Sequence, residues 1–347
     1  MPLPFQLPSS IYQPLRNLLY DLNYSSTKDV FIHVGDIITK GPHKDSMSLL
    51  TYLASNNITG VRGNNDQKVI EWRGWLNWIT SLPGGKCWLD RLEKNLPNDI
   101  ASDKSKLIQW MSYQRNGASK DDQKWWKLIP SGWLLFGDHY KVAKDMSDTG
   151  FQYLLDLPLR LYIPSAHVFI VHAGLLPSDP KYPYYDETQP LARMPKLEGV
   201  DTKHETSKVE GLRNLQEISL LKLIPQNMVP WVLLNMRSVW RGQVSKKIKG
   251  KTPWSDLWEQ EMNSCVGYSP KIDGGSKKDP KHPLPCYPST VIYGHAAARG
   301  LDLKRWSIGL DSGCVSAFFS SLLEFPLNIR RLIGLWKKVI CVGYWRS

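Results

Sequence analysis

Four short apolar runs in this chain each end on a side chain that can bind a metal. They are Phe31-Ile32-His33-Val34-Gly35-Asp36, Gly60-Val61-Arg62-Gly63-Asn64, Val168-Phe169-Ile170-Val171-His172 and Val291-Ile292-Tyr293-Gly294-His295. One carboxylate (Asp36), one amide oxygen (Asn64) and two imidazoles (His172 and His295) suit manganese, iron or zinc better than magnesium or calcium. A lone His or Asp after a strand is usually structural. Four in this order, three of them beside glycine, point to one shared centre.

Such residues meet only if the strands that carry them end on a common edge. The spacing of residues 11, 15, 18, 19 and 22 predicts a helix over 11–22, and residues 30–34 read as a strand. A loop over 35–42, a helix over 46–54 and a second strand over 58–61 complete a βαβ unit, which implies a parallel sheet. Ligands of such sheets gather at the carboxyl ends of the strands. Further strands are expected over 167–171 and 290–293, short helices over 84–128, and a loop over 177–190. Residues 242–289, rich in Lys, Gly and Pro, read as a surface insertion, and the lysines of 246–251 as a solvated loop. Trp72, Trp75 and Trp78 fall on one side of a helix, a spacing that favours packing over base stacking. His33 reads as a packing residue and His43 as a cap or surface residue. Asp138-His139 are taken as neighbours on a strand, pointing to opposite faces, and so not as an acid–base pair.

Gly35-Asp36-Ile37-Ile38-Thr39-Lys40-Gly41-Pro42, Gly63-Asn64-Asn65-Asp66, Val171-His172-Ala173-Gly174-Leu175 and Tyr293-Gly294-His295-Ala296 together resemble the calcineurin-like metallophosphoesterases. The resemblance covers about residues 11–315. It is nearest to the branch of symmetrical diadenosine-tetraphosphate hydrolases and fungal vacuolar endopolyphosphatases, with the fungal group closer. It implies an α/β fold in which a mixed β-sandwich is flanked by helices. It also implies hydrolysis of phosphoester or phosphoanhydride bonds by a metal-activated water, with polyphosphate, a dinucleoside polyphosphate or a phosphoprotein as the anionic substrate. By position Asp36 matches a metal-bridging carboxylate, and Asn64, His172 and His295 the other ligands of one metal. Lys40 stands where many relatives have a phosphate-contacting arginine; it keeps the charge without the bidentate fork. Arg237 and Arg299 are candidate phosphate contacts. Asp311, in Gly309-Leu310-Asp311-Ser312-Gly313-Cys314, matches a motif near the site and is expected to orient a ligand.

Three departures qualify that likeness. Relatives begin with a strand ending in Gly-Asp-x-His-Gly that binds a second metal, and this chain has no such motif. One metal site is therefore expected intact and the other incomplete. Asn65 occupies the position of the histidine that assists the leaving group, and an amide has no transferable proton near neutral pH. The alternative is thus a non-catalytic anion-binding protein on the same fold. Finally, residues 318–347 replace the closing strands of relatives with a basic, aromatic tail. Residues 1–10 and 318–347 are both expected to stand outside the domain, which spans 11–317 with an insertion at about 180–285, and to reflect a late start and a retained intron or shifted reading frame. A stretch of the tail, Ile329 to Lys338, could lie on a membrane as a basic amphipathic helix.

Composition bounds the rest. The chain has 347 residues, 42% hydrophobic and 22% charged, enough apolar material for a core. Its 44 Lys and Arg against 32 Asp and Glu give a net +12, which favours anionic partners. No recognised motif supports nucleic-acid binding. Five cysteines, none in a CxxC pair, argue against a disulfide framework or zinc ribbon. No stretch approaches a membrane span, and the N-terminus does not read as a signal peptide. The default expectation is an intracellular protein, cytoplasmic or, by resemblance, vacuolar.

Overall fold

A computed structural model describes residues 12–38, 42–196, 205–268, 281–296, 299–311, 321–322 and 339–343. In chain order its helices are α1 (Tyr12–Asp21), α2 (His43–Ser55), α3 (Asn64–Ser81), α4 (Gly85–Lys94), α5 (Asn98–Ala101), α6 (Lys104–Asn116), α7 (Lys120–Lys127), α8 (Asp138–Asp145), α9 (Asp148–Asp156), α10 (Glu205–Leu223), α11 (Pro230–Asn235) and α12 (Trp254–Met262). The strands are β1 (Val30–His33), β2 (Thr59–Gly60), β3 (Arg160–Ile163), β4 (Val168–Val171), β5 (Ser238–Trp240), β6 (Gln243–Ser245), β7 (Thr252–Pro253), β8 (Thr290–Tyr293), β9 (Asp302–Leu303), β10 (Ser307–Gly309), β11 (Ser321–Leu322) and β12 (Val339–Gly343). The chain divides into two compact units: Met1–Gln13 with Ile37–Asn57 and Asn65–Asp156, and Pro14–Asp36 with Ile58–Asn64 and Leu157–Ser347.

The first unit is helical. Its tryptophans form the interior: the Trp72 ring lies 4.5 Å from that of Trp133 and 5.4 Å from Tyr140, while Trp88 packs against Trp125 and Trp126. Buried aromatic rings of this size contribute heavily to core stability. Trp72 and Trp75 are buried, as the helical spacing predicts, but Trp78 is 45% exposed. Asp103 and Ser119 cap α6 and α7 by accepting hydrogen bonds from backbone N–H groups of the first turn. One expectation changes here. Asp138-His139 opens helix α8, not a strand; Asp138 sits in the first turn, where its charge complements the helix dipole. His43 begins α2 and pairs with Asp145 at 2.8 Å.

The second unit carries three sheets, in the orders β11-β12-β1-β2, β3-β4-β8-β10-β9 and β6-β5-β7. In the first, β1 runs parallel to both β2 and β12. The tail expected to stand apart thus contributes β12, with Val30 to His33 opposite Val339 to Val342. In the second, β4 and β8 are parallel, β8 and β10 are parallel, and β3 is an antiparallel edge.

Side-chain alternation gives the second sheet two buried faces. Val168, Ile170 and Ile292 pack with Ile32, Val34 and Val61 of the first sheet's strands and strand ends. Phe169, Val171, Val291 and Tyr293 face Leu220, Ile224, Leu233, Trp254, Trp258 and Met262. This is the sandwich flanked by helices. The described residues of 242–289 are correspondingly no surface insertion. Its polar average hides α12, which turns Trp254, Trp258 and Met262 inward at i, i+4 and i+8, and Leu284 and Cys286 join them. Cys286 is also disulfide-bonded to Cys265. Counting cysteines excluded a framework but could not see a single bond between residues 21 apart. Among the described residues no helix is long and apolar enough to cross a membrane.

Candidate metal centre

The ends of four strands are tied together by backbone hydrogen bonds before any side chain takes part. Val61 N–H donates to His33 O at 3.1 Å, joining the ends of β1 and β2, and Gly294 N–H donates to His172 O at 2.9 Å, joining β4 and β8. His172 Nδ1 lies 2.7 Å from Val34 O, which links the two sheets. A carbonyl only accepts, so the Nδ1 position carries the proton and the neutral ring presents a lone pair at Nε2.

That nitrogen faces the other candidates. It lies 3.1 Å from Asn64 Oδ1, 3.1 Å from His295 Nδ1 and 3.5 Å from Asp36 Oδ1. One potential ligand atom from each of Asp36, His172 and His295 falls within 4.8 Å of the others. Asp36, His172 and His295 are only 4%, 1% and 8% exposed. Four electron-pair donors so close together and so short of protons fit a bound cation better than one another. His295 Nε2 is buried without a hydrogen bond, although the Asn235 backbone nearby favours its charged form. The donor set and burial therefore fit a divalent metal held by Asp36, Asn64, His172 and His295.

The backbone is bent to make this approach. Asp36 and His295 have φ of 57° and 68°, left-handed values that non-glycine residues adopt at a cost of roughly 1–2 kcal/mol each. Gly63 is required beside them: a Cβ there would fall 2.2 Å from Asp36 N and 2.3 Å from Asp36 Oδ1.

Electrostatics disfavour the charged forms of His295 and His33. Burial, then the nearby His172 and Arg237, lower the His295 pKa to about 3. Burial, then His172, lower His33 to about 3 as well. His33 is buried and its Nδ1 accepts from Gly35 N–H at 3.3 Å, in keeping with a packing role. Burial raises the Asp311 carboxyl to about 6, against the pull of His172 and the Ala296 N–H. Neutral imidazole is the form that ligates metal.

The remaining sequence candidates are distributed unevenly. Asp311 accepts a hydrogen bond from Ala296 N–H, next to His295. Arg237 donates from Nε and Nη2 to His295 O at 3.3 and 3.2 Å. Arg299 is engaged elsewhere, paired with Asp302 at 2.7 Å and hydrogen-bonded to Ser255 at 2.9 Å. Lys40 and the stretch Ile329 to Lys338 lie outside the described residues. Asn65 Oδ1 lies 3.0 Å from His139 Nε2, a pairing that reading 138–139 as a strand concealed. Sequence reasoning also missed the Val34 carbonyl, for which no side-chain signal exists.

Residues 9–170 match the family model described as calcineurin-like phosphoesterase. The symmetrical bis(5'-nucleosyl)-tetraphosphatase of Nitrosomonas europaea is 22% identical over 300 residues, 86% of this chain and 85% of that protein. Serine/threonine-protein phosphatase 1 of Salmonella typhimurium is 31% identical over 81 residues, 23% of this chain and 37% of that protein. A crystal structure of a putative diadenosine tetraphosphatase aligns over 89% of this chain and 80% of its own, at 19% identity and a TM-score of 0.40.

Proposed function

We propose that this chain, with its calcineurin-like phosphoesterase stretch, is a metal-dependent phosphoesterase that hydrolyses phosphoanhydride or phosphomonoester bonds. The observation that carries the reading is the convergence of Asp36, Asn64, His172 and His295 on one buried point. A divalent metal bound there would supply Lewis-acid polarisation of a phosphoryl oxygen and a water of lowered pKa. Manganese, iron and zinc suit the donor set.

The chain's own residues do the rest. Val34 O fixes the His172 tautomer, and Arg237 holds the carbonyl of His295, so both rings enter the site pre-oriented. Burial of Asp36, His172 and His295 restricts water around the reacting phosphoryl group. Lys40 and Arg237 are the cations assigned to the substrate's charge; Arg299, bound to Asp302, instead steadies the segment after His295. The net charge of +12 favours a polyanionic substrate, polyphosphate or a dinucleoside polyphosphate ahead of a phosphoprotein.

Asn65 supports a second reading, a non-catalytic anion-binding protein that keeps one metal. Manganese-stimulated hydrolysis of p-nitrophenyl phosphate and polyphosphate separates the two. The enzyme reading expects turnover that Asp36→Asn abolishes; binding of polyphosphate without turnover at any metal concentration would establish the second.

A further inference from the structure

We propose that this chain matures in an oxidising, glycan-adding compartment, where Cys265 and Cys286 are joined and Asn23 and Asn57 carry N-linked glycans. The inference is independent of the phosphoesterase reading and stands on two separate observations.

The first is the disulfide. Cys265 follows α12 and Cys286 precedes β8, and backbone hydrogen bonds already align them: Val266 N–H to Leu284 O, Gly267 N–H to Cys286 O and Leu284 N–H to Ser264 O. Cys286 is fully buried within the apolar cluster of Trp258, Met262 and Leu284. Cys265 is partly buried against the same cluster; a disulfide anchored in a core in this way is structural, and such bonds form and persist in oxidising compartments. Cys87 is exposed and free. Oxidation passes two electrons and two protons from the thiols to the disulfide of a thiol–disulfide oxidoreductase, which becomes a dithiol.

The second is a pair of Asn-x-Ser/Thr triplets, Asn23-Tyr24-Ser25 and Asn57-Ile58-Thr59, the only two in the chain. This triplet, without proline at its centre, is the acceptor for N-glycosylation. Both asparagines are exposed, and each closes a helix: Asn23 follows α1 with φ of 50°, Asn57 follows α2 with φ of 47°. Asparagine at a left-handed helix end has a structural cause of its own. That cause does not extend to the hydroxyl two residues later, present in both places. Exposed turns also accept a bulky sugar without disturbing packing. Transfer forms a bond from Asn Nδ2 to the anomeric carbon of the sugar. It breaks that carbon's bond to the phosphate of a lipid-linked pyrophosphate donor, and the amide proton leaves with the lipid pyrophosphate.

The test uses the full chain isolated from the cells that make it. Peptide N-glycosidase digestion in heavy-oxygen water should convert Asn23 and Asn57 to labelled Asp, with a drop in apparent mass. A non-reducing peptide map should recover Cys265 linked to Cys286. Ser25→Ala and Thr59→Val, which leave both helix-ending asparagines in place, should each remove one step of mobility. Unmodified asparagines together with free thiols at 265 and 286 overturn the proposal. So does a formed disulfide in a chain whose two asparagines are both bare, and a sugar at one position alone overturns the assignment of the other. Phosphoesterase activity is not read in any arm, so its presence or absence leaves this result untouched.

Discussion

His172 Nδ1 lies 2.7 Å from the carbonyl oxygen of Val34, and this one hydrogen bond sets which nitrogen of His172 faces the candidate metal. It joins the end of β4 to the end of β1, so the same contact that closes the sandwich also prepares the site. The partner is backbone, so no side-chain substitution at 34 removes it directly.

Arg237 is open to such a test. Its guanidinium donates twice to the carbonyl of His295, a residue whose left-handed backbone needs external support. Arg237→Met keeps most of the aliphatic stem and removes the donors. We expect metal affinity to fall about 10–100-fold, the usual effect of losing a group that orients a ligand. Titration of the metal-free protein with manganese or zinc measures it, and an unchanged affinity would show that His295 is held by other contacts.

Gly63 tests the close approach of the two strand ends. A methyl group there collides with the Asp36 backbone and carboxylate, which cannot yield without moving the ligand. Gly63→Ala should destabilise the fold by about 1–3 kcal/mol, the range for overpacking a filled site, and weaken metal binding as well. Thermal unfolding and metal titration of the same sample report the two effects. A variant of unchanged stability and affinity would mean that Asp36 is free to shift.

These residues also mark what the sequence could and could not reveal. Asp36, Asn64, His172 and His295 were legible because each directly follows a short apolar run, and parallel strands bring such ends together. α12 was not legible, because Lys, Gly and Pro around it outweigh Trp254, Trp258 and Met262 in any composition average. The disulfide between Cys265 and Cys286 joins residues 21 apart, a pairing that local spacing does not encode. The ion pair of Arg299 with Asp302, three residues away, was not legible either, because a charge near a motif does not announce its partner.

Glu261 predicts a pH dependence. It is buried, Ser178 Oγ donates to its Oε1 at 2.7 Å, and burial raises its pKa from 4.5 to about 8. The folded state therefore holds a proton that the unfolded state has lost between those values. Stability contributed by the neutral acid is complete below about 4.5 and declines as pH rises to about 8, by up to about 1.4 kcal/mol per pH unit. Glu261→Gln keeps the shape and the acceptor and cannot ionise. Denaturant unfolding across that window should show a decline in the wild type that the variant lacks, and parallel curves would place the titration elsewhere.

The account rests on one metal centre built from Asp36, Asn64, His172 and His295, and elemental analysis of the purified protein tests it most directly. After reconstitution with manganese or zinc and exhaustive dialysis, wild-type protein should retain one metal ion per chain, and His295→Ala or Asp36→Asn should retain none. Two tightly held ions per chain, or one ion that survives both substitutions, would contradict it.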